Sequence, residues 1–136
     1  MYASHDLEID NVTFQEGESA IKECSNLLVR GCRFEGKYPL WCCAGTKVSG
    51  CHFTEGARAA VWYSSDMEMT GCNVTAPKMF REMDRLTLRG CHFTDSDETL
   101  WDCRGVEVED CRFQEAKYIF FRCSDVKARR LDISGR

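Results

Sequence analysis

The sequence predicts an all-β fold, a right-handed parallel β-helix (a solenoid) of about seven coils with 19–21 residues in each. Three observations carry that prediction. A short phrase, an apolar residue (usually Cys) followed two places on by Phe or another apolar residue, recurs at a near-constant step. An alternating apolar–polar stretch precedes most of its occurrences. A second apolar pair completes each unit.

The phrase is filled by Val12/Phe14, Cys32/Phe34, Cys51/Phe53, Cys72/Val74, Cys91/Phe93, Cys111/Phe113 and Leu131/Ile133, at steps of 20, 19, 21, 19, 20 and 20 residues. Ahead of it lie Leu7/Ile9, Leu27/Val29, Met67/Met69, Leu86/Leu88 and Val106/Val108, with polar residues such as Glu8, Glu68, Thr87 and Glu107 between the apolar ones. Alternation of period two is the mark of a half-buried strand. The parity then breaks at Asn11, Gly31, Gly50, Gly71, Gly90 and Asp110. These residue types tolerate left-handed backbone, so a corner is expected there, with a second strand beyond it. The return half carries two more apolar columns, Ile21, Leu40, Val61, Phe80, Leu100, Phe120 and Cys24, Cys43, Ser64, Met83, Cys103, Cys123. A unit this short cannot bury its apolar side alone and must stack on its neighbours. The coils begin near residues 7, 27, 46, 67, 86, 106 and 126, and residues 1–136 read as a single β-helix domain. Parallel strands ~4.8 Å apart give a rod roughly 30 Å long.

Composition narrows the function classes. Hydrophobic residues make up 43% of the 136, enough for a core, and 22 acids against 18 bases give a net charge of −4. A nucleic-acid partner needs a clustered basic face, which this balance disfavours. No apolar run approaches the ~18–20 residues of a membrane-spanning helix. Met1–Asp10 lacks a basic segment followed by an apolar one, so a cytoplasmic location is expected.

Ten cysteines would suggest disulfides in a small secreted domain. Here nine of them fall in the two inward columns, and only Cys42 lies outside. Stacked neighbours sit ~4.8 Å apart, whereas disulfide Cβ atoms want ~3.8 Å. Buried free thiols are therefore expected, with Cys42 turned outward. There is no Cys-x-x-Cys or His-x-x-x-His pair, so neither a metal nor any other cofactor is expected.

Two other repeat architectures compete. Met83-x-x-Leu86-x-Leu88-x-x-Cys91-x-Phe93 matches a leucine-rich repeat strand, but the first position is mostly Cys or Ser across the units. The return segments are also rich in Trp, Phe and Val, which favours strand over helix. Pentapeptide helices use similar phrases every five residues, whereas here the phrase comes once per coil.

The return segments "GESAIKE" (17–23), "YPLW" (38–41), "ARAAVWYS" (57–64) and "KMFRE" (78–82), in that order, resemble successive coils of domain-of-unknown-function family 3737. The resemblance runs from about residue 7 onward. It implies mainly bacterial proteins with a pectin-lyase-like right-handed β-helix and no established activity. Members of the family are usually longer, so the chain resembles their N-terminal part. A His commonly follows the "YPLW" phrase; Cys42 stands there instead.

One column suggests a binding face. Lys22, Trp41, Trp62, Arg81, Trp101 and Phe121 directly follow the inward Ile21–Phe120 column, so alternation turns them outward. Such a strip offers apolar platforms and cation–π neighbours, with Glu23, Tyr63, Glu82 and Asp102 beside it. It reads as a surface for a glycan or a protein partner. A layer covered by another part of a longer chain, or Trp side chains inside a misplaced bend, would account for it as well. His52 and His92 lie two coils apart in a solvent-facing column, too far for a joint metal site. Glu16, Glu55, Asp95 and Glu115 read as solvated turn residues, and no catalytic residue is assigned. The expected function is a non-enzymatic scaffold. A carbohydrate-active enzyme is the alternative by fold analogy, and a structural rod stacking end to end, as a homodimer, is the third.

Overall fold

In the computed structural model, which describes residues 1–95 and 97–135, the chain winds through three parallel sheets. The long sheet holds seven strands of six residues, from His5–Asp10 to Ser124–Arg129. The middle sheet holds seven shorter strands, from Thr13–Phe14 to Asp132–Gly135. The return sheet holds six strands, from Ile21–Lys22 to Phe120–Phe121. Every strand inside a sheet pairs with the strands one coil before and after it, as Leu27 does with Leu7 and Thr46, and the strands at the sheet edges pair on one side. The chain thus makes about six turns, slightly fewer than the seven coils expected from the phrase count. Seven phrases bracket only six returns, and the first rung adds to the return sheet no more than the bridge between Tyr2 and Lys22. No helix among the described residues is long and apolar enough to cross a membrane.

The columns read from the sequence point inward. Phe34, Phe53, Phe93 and Phe113 are fully buried, and so are Ile21, Leu40, Val61, Phe80 and Leu100. Rings one rung apart stack nearly parallel, with centroids 4.8 Å apart for Phe34 and Phe53 and 4.7 Å for Phe93 and Phe113. Val74 interrupts that stack. Phe80 stands in the facing column of the same coil and packs edge-on against Phe93 at 6.4 Å. A larger residue on one wall thus fills what a smaller one leaves on the other, as close packing demands.

The corners explain the thiols. Gly31, Gly50, Gly71, Gly90, Asn11 and Asp110 are left-handed, as expected, and so is Arg130. A second left-handed column runs through Glu23, Cys42, Tyr63, Glu82, Asp102 and Arg122. The residue after each of these corners is usually Cys, and its thiol donates back across the corner to the carbonyl two residues earlier. Examples are Cys51 to Ser49 at 3.4 Å, Cys111 to Glu109 at 3.2 Å and Cys103 to Trp101 at 3.5 Å. Ser64 makes the same bond to Trp62 at 3.2 Å. The backbone N–H groups of Cys32 and Cys51 donate to the sulfur one rung on, at 3.3 and 3.4 Å. The thiols therefore do more than fill space: their sulfurs take up the N–H groups of Cys32 and Cys51, and their S–H groups add a second donor to carbonyls that already accept a backbone N–H from the rung before, as Ser49 does from Gly31. All ten cysteines are free, nine lie in the inward columns, and Cys42 is exposed.

The outer surface carries charge ladders along the stack. Arg30 donates to Asp10, with its Nε at 2.7 Å. Arg130 donates likewise to Asp110, with its Nε at 2.6 Å. Arg85 grips Asp66. Glu109 is held from both sides, by Arg89 at 3.5 Å and Arg129 at 3.7 Å.

Candidate functional site

The six residues of the predicted strip share one column of the return sheet. Lys22 pairs with Trp41, Trp41 with Trp62, Trp62 with Arg81, Arg81 with Trp101, and Trp101 with Phe121. The bridge to Lys22 adds Tyr2 at the head of the column, and the Lys22 ammonium lies 5.7 Å from its ring. Tyr2 was not read into the column because the coils were counted from Leu7, which leaves the residues before it outside any repeat unit.

The column is neither core nor freely exposed. Its first five members are half-buried, and Phe121 is 38% exposed. Rungs this close force the large side chains to stack along the rod. Trp41 lies on Trp62 with centroids 5.6 Å apart. The Arg81 guanidinium is sandwiched, 5.0 Å from Trp62 and 5.2 Å from Trp101. Trp101 meets Phe121 edge-on at 5.1 Å. Most of the ring faces are thus covered by neighbouring rungs, and the strip turns ring edges outward. Trp62 donates its Nε1–H to the Lys78 carbonyl at 3.0 Å. Trp101 Nε1, Arg81 Nε and Glu98 Oε2 are buried without a hydrogen-bond partner. These three residues line a slot of about 150 Å³ together with Trp62, Lys78 and Phe80.

A wider groove runs along the other side of the strip. It measures about 530 Å³ and is lined by Tyr63, Glu82, Met83, Asp102, Arg104, Arg122 and Ser124. Four of these, Tyr63, Glu82, Asp102 and Arg122, form the left-handed corner column, which aims its side chains away from the rod. Tyr63 is 42% exposed, and its ring stands edge-on to Trp41 at 5.2 Å. Arg122 donates to Asp102 at 3.1 Å and covers Phe121 at 5.3 Å. Alternation placed Tyr63, Glu82 and Asp102 beside the strip; Arg122 follows Phe121 in the same way but was not singled out, and Arg104 and Ser124 lie two residues past the corners, at the start of the long strands.

The remaining candidates stay apart. His52 contacts Arg33 at 2.9 Å, and His92 contacts Gln114 at 2.7 Å. Asn73 occupies the rung between the two histidines. Among the described residues no cluster of His, Cys, Asp or Glu is arranged to hold a metal ion. Glu16, Glu55, Asp95 and Glu115 are exposed. Burial pushes the Cys43 thiol up to about 11 and the Cys103 thiol up to about 12, so neither presents a thiolate near neutrality.

The model of a family described as "Protein of unknown function (DUF3737)" matches residues 1–136. The chain belongs to that family. One similar solved structure agrees on the fold. A protein from Parabacteroides merdae, assigned provisionally as a glycosyl hydrolase, superimposes with a TM-score of 0.53 at 10% identity, over 89% of this chain and 79% of that one. QnrB1, a plasmid-mediated fluoroquinolone resistance protein, superimposes with a TM-score of 0.43 at 13% identity, over 97% of this chain and 72% of that one. No curated protein matches the chain. At 10% identity the likeness to the Parabacteroides merdae protein speaks for the solenoid alone.

Proposed function

We propose that this DUF3737 chain is a non-enzymatic scaffold that binds a carbohydrate in the groove beside its aromatic ladder. The observation that carries the reading is the make-up of that groove. One exposed aromatic ring, Tyr63, stands among two carboxylates, Glu82 and Asp102, and two guanidinium groups, Arg104 and Arg122. A sugar ring has an apolar face that fits an aromatic ring and hydroxyls that suit carboxylates and guanidinium groups. The volume falls within the ~300–1,000 Å³ of small-molecule sites. The ladder serves as a rigid wall, because its own rungs cover the indole faces. This moves the expected contacts from Trp41, Trp62 and Trp101 to the corner column next to them.

A screen against neutral and acidic oligosaccharides tests the reading. At least one class should bind, and Tyr63→Ala and Asp102→Asn should each weaken it tenfold or more with an unchanged melting temperature. Binding to no glycan overturns the proposal. Release of new reducing ends would favour the carbohydrate-active enzyme instead. The free thiols support a reducing, cytoplasmic setting. Recovery of protein from cells with two or more disulfides would count against it.

A further inference from the structure

The groove beside the ladder is unevenly charged along the rod. Its corner column runs Tyr63, Glu82, Asp102, Arg122, one rung apart, because the N–H of each of the first three donates to a carbonyl of the next rung, Arg81, Trp101 and Phe121, at 2.9 Å. Both guanidinium groups in the groove already have a carboxylate. Arg122 donates to Asp102 at 3.1 Å and lies over the rings of Phe121 and Trp101. Arg104 lies 4.0 Å from Asp84. Glu82 is served least. Among the described residues its one close cation is Arg81, with Nε 4.0 Å away, and that guanidinium is held between the indoles of Trp62 and Trp101. The Glu82 side chain is 50% exposed, between the exposed ring of Tyr63 on one rung and Asp102 on the next.

We propose that the sugar taken up by this groove is an amino sugar with a free, protonated amine, seated with its ammonium group on Glu82 beside the ring of Tyr63. The inference rests on the carbohydrate reading and narrows it. An aromatic face attracts a cation, and carboxylate oxygens accept its three N–H groups. An acetamido or hydroxyl group in the same place carries no charge and offers Glu82 a single N–H or O–H. A carboxylate there would be repelled by Glu82 and Asp102, and could reach Arg122 only by displacing Asp102 from it.

The layout also orients the saccharide. With the amine at Glu82, the remaining hydroxyls point along the rod toward Arg104 and Arg122, whose N–H groups not used by Asp84 and Asp102 suit neutral oxygens. Three rung steps of ~4.8 Å separate Tyr63 from Arg122, about 14 Å, which leaves room for more than one sugar ring.

Calorimetric titration with chitosan, chitin and cellulose oligosaccharides of equal length tests it, since the three differ in bearing an amine, an acetamide or a hydroxyl at the same carbon. Glucosamine and galactosamine, with their N-acetyl and hydroxyl counterparts, repeat the comparison without a linkage. At a pH where the amine is charged, the amine form should bind about fivefold more tightly than the other two, and the margin should shrink as salt rises. Glu82→Gln should bring the three forms to one affinity with an unchanged melting temperature. Glu107→Gln, on the long sheet, should leave the margin intact. Equal or tighter binding of the acetamide or hydroxyl form overturns the inference and leaves the carbohydrate reading in place. So does a margin that survives Glu82→Gln. Spermidine binding as tightly as the amino sugar would show that charge alone is read, and overturns it as well. Binding of no sugar in any form overturns both readings.

Discussion

Nine thiols sit one residue past a left-handed corner, and each donates to a carbonyl at the bend it closes, so their hydrogens are committed, and all but the half-buried Cys123 are buried as well. Alkylation of the native chain should therefore be confined mainly to Cys42. Burial beside Glu23 raises that thiol too, so it should react more slowly than a free cysteine. Mass spectrometry of native and unfolded samples distinguishes one accessible thiol from ten, and fast labelling of Cys51 or Cys91 would show that the columns breathe. Gly56 makes a second case at this scale. A Cβ there would press into the Glu35 carbonyl of the rung before it, far inside contact distance. Gly56→Ala should cost about 1–3 kcal/mol, the usual range for forced overpacking, as read from urea unfolding.

At the level of the return strand, the tryptophans are neither of the things that alternation alone distinguishes. Trp62 stacks on Trp41 and under Arg81 and donates its N–H, so Trp62→Ala should cost about 2 kcal/mol. That lies between the near-zero cost of a free surface residue and the ~3–5 kcal/mol of a core Trp. The pair Trp62→Phe and Trp101→Phe should separate ring from N–H. The first loses a hydrogen bond and should cost about 1 kcal/mol, whereas the second removes a buried donor that has no partner and should be neutral or stabilising. Equal losses in the two variants would contradict the geometry. The columns were legible because a fixed step near 20 residues turns every apolar position into a ladder. The glycine and Asn or Asp corners were legible for the same reason, since those residues favour the left-handed region. The corners at Tyr63, Glu82 and Arg122 were not. Side chains with a Cβ disfavour that backbone, and what holds them there comes from another rung: Tyr63 N–H donates to Arg81 O at 2.9 Å and Glu82 N–H to Trp101 O at 2.9 Å. The groove inherits that difficulty, because it is built on that corner column.

Over the whole rod, the outer ladders set the response to acid. Arg30, Arg85 and Arg130 hold Asp10, Asp66 and Asp110 below the usual carboxylate range. A carboxylate whose folded pKa is depressed contributes stability above its unfolded value, near 3.9, and loses it as pH falls through the folded value. Burial, and then Arg33, depress His52, so its contribution begins to fade earlier, as pH drops through about 6.5. The urea midpoint should dip slightly between pH 7 and 5, level off, and decline again below about pH 4; a midpoint flat down to pH 3 would mean that the ladders add nothing. The closure of each turn onto its neighbours has a consequence of a different kind. Arg85 and Gly105 occupy the same left-handed corner one turn apart, and Leu86 is in register with Val106. Deleting residues 86–105 would join Arg85 to Val106 with every later side chain facing as before. The shortened chain should refold, with Phe121 resting on Arg81 in place of Trp101. Length in this protein is thus quantised, and a gene can lengthen or trim the rod by one turn at a time without redesigning what remains.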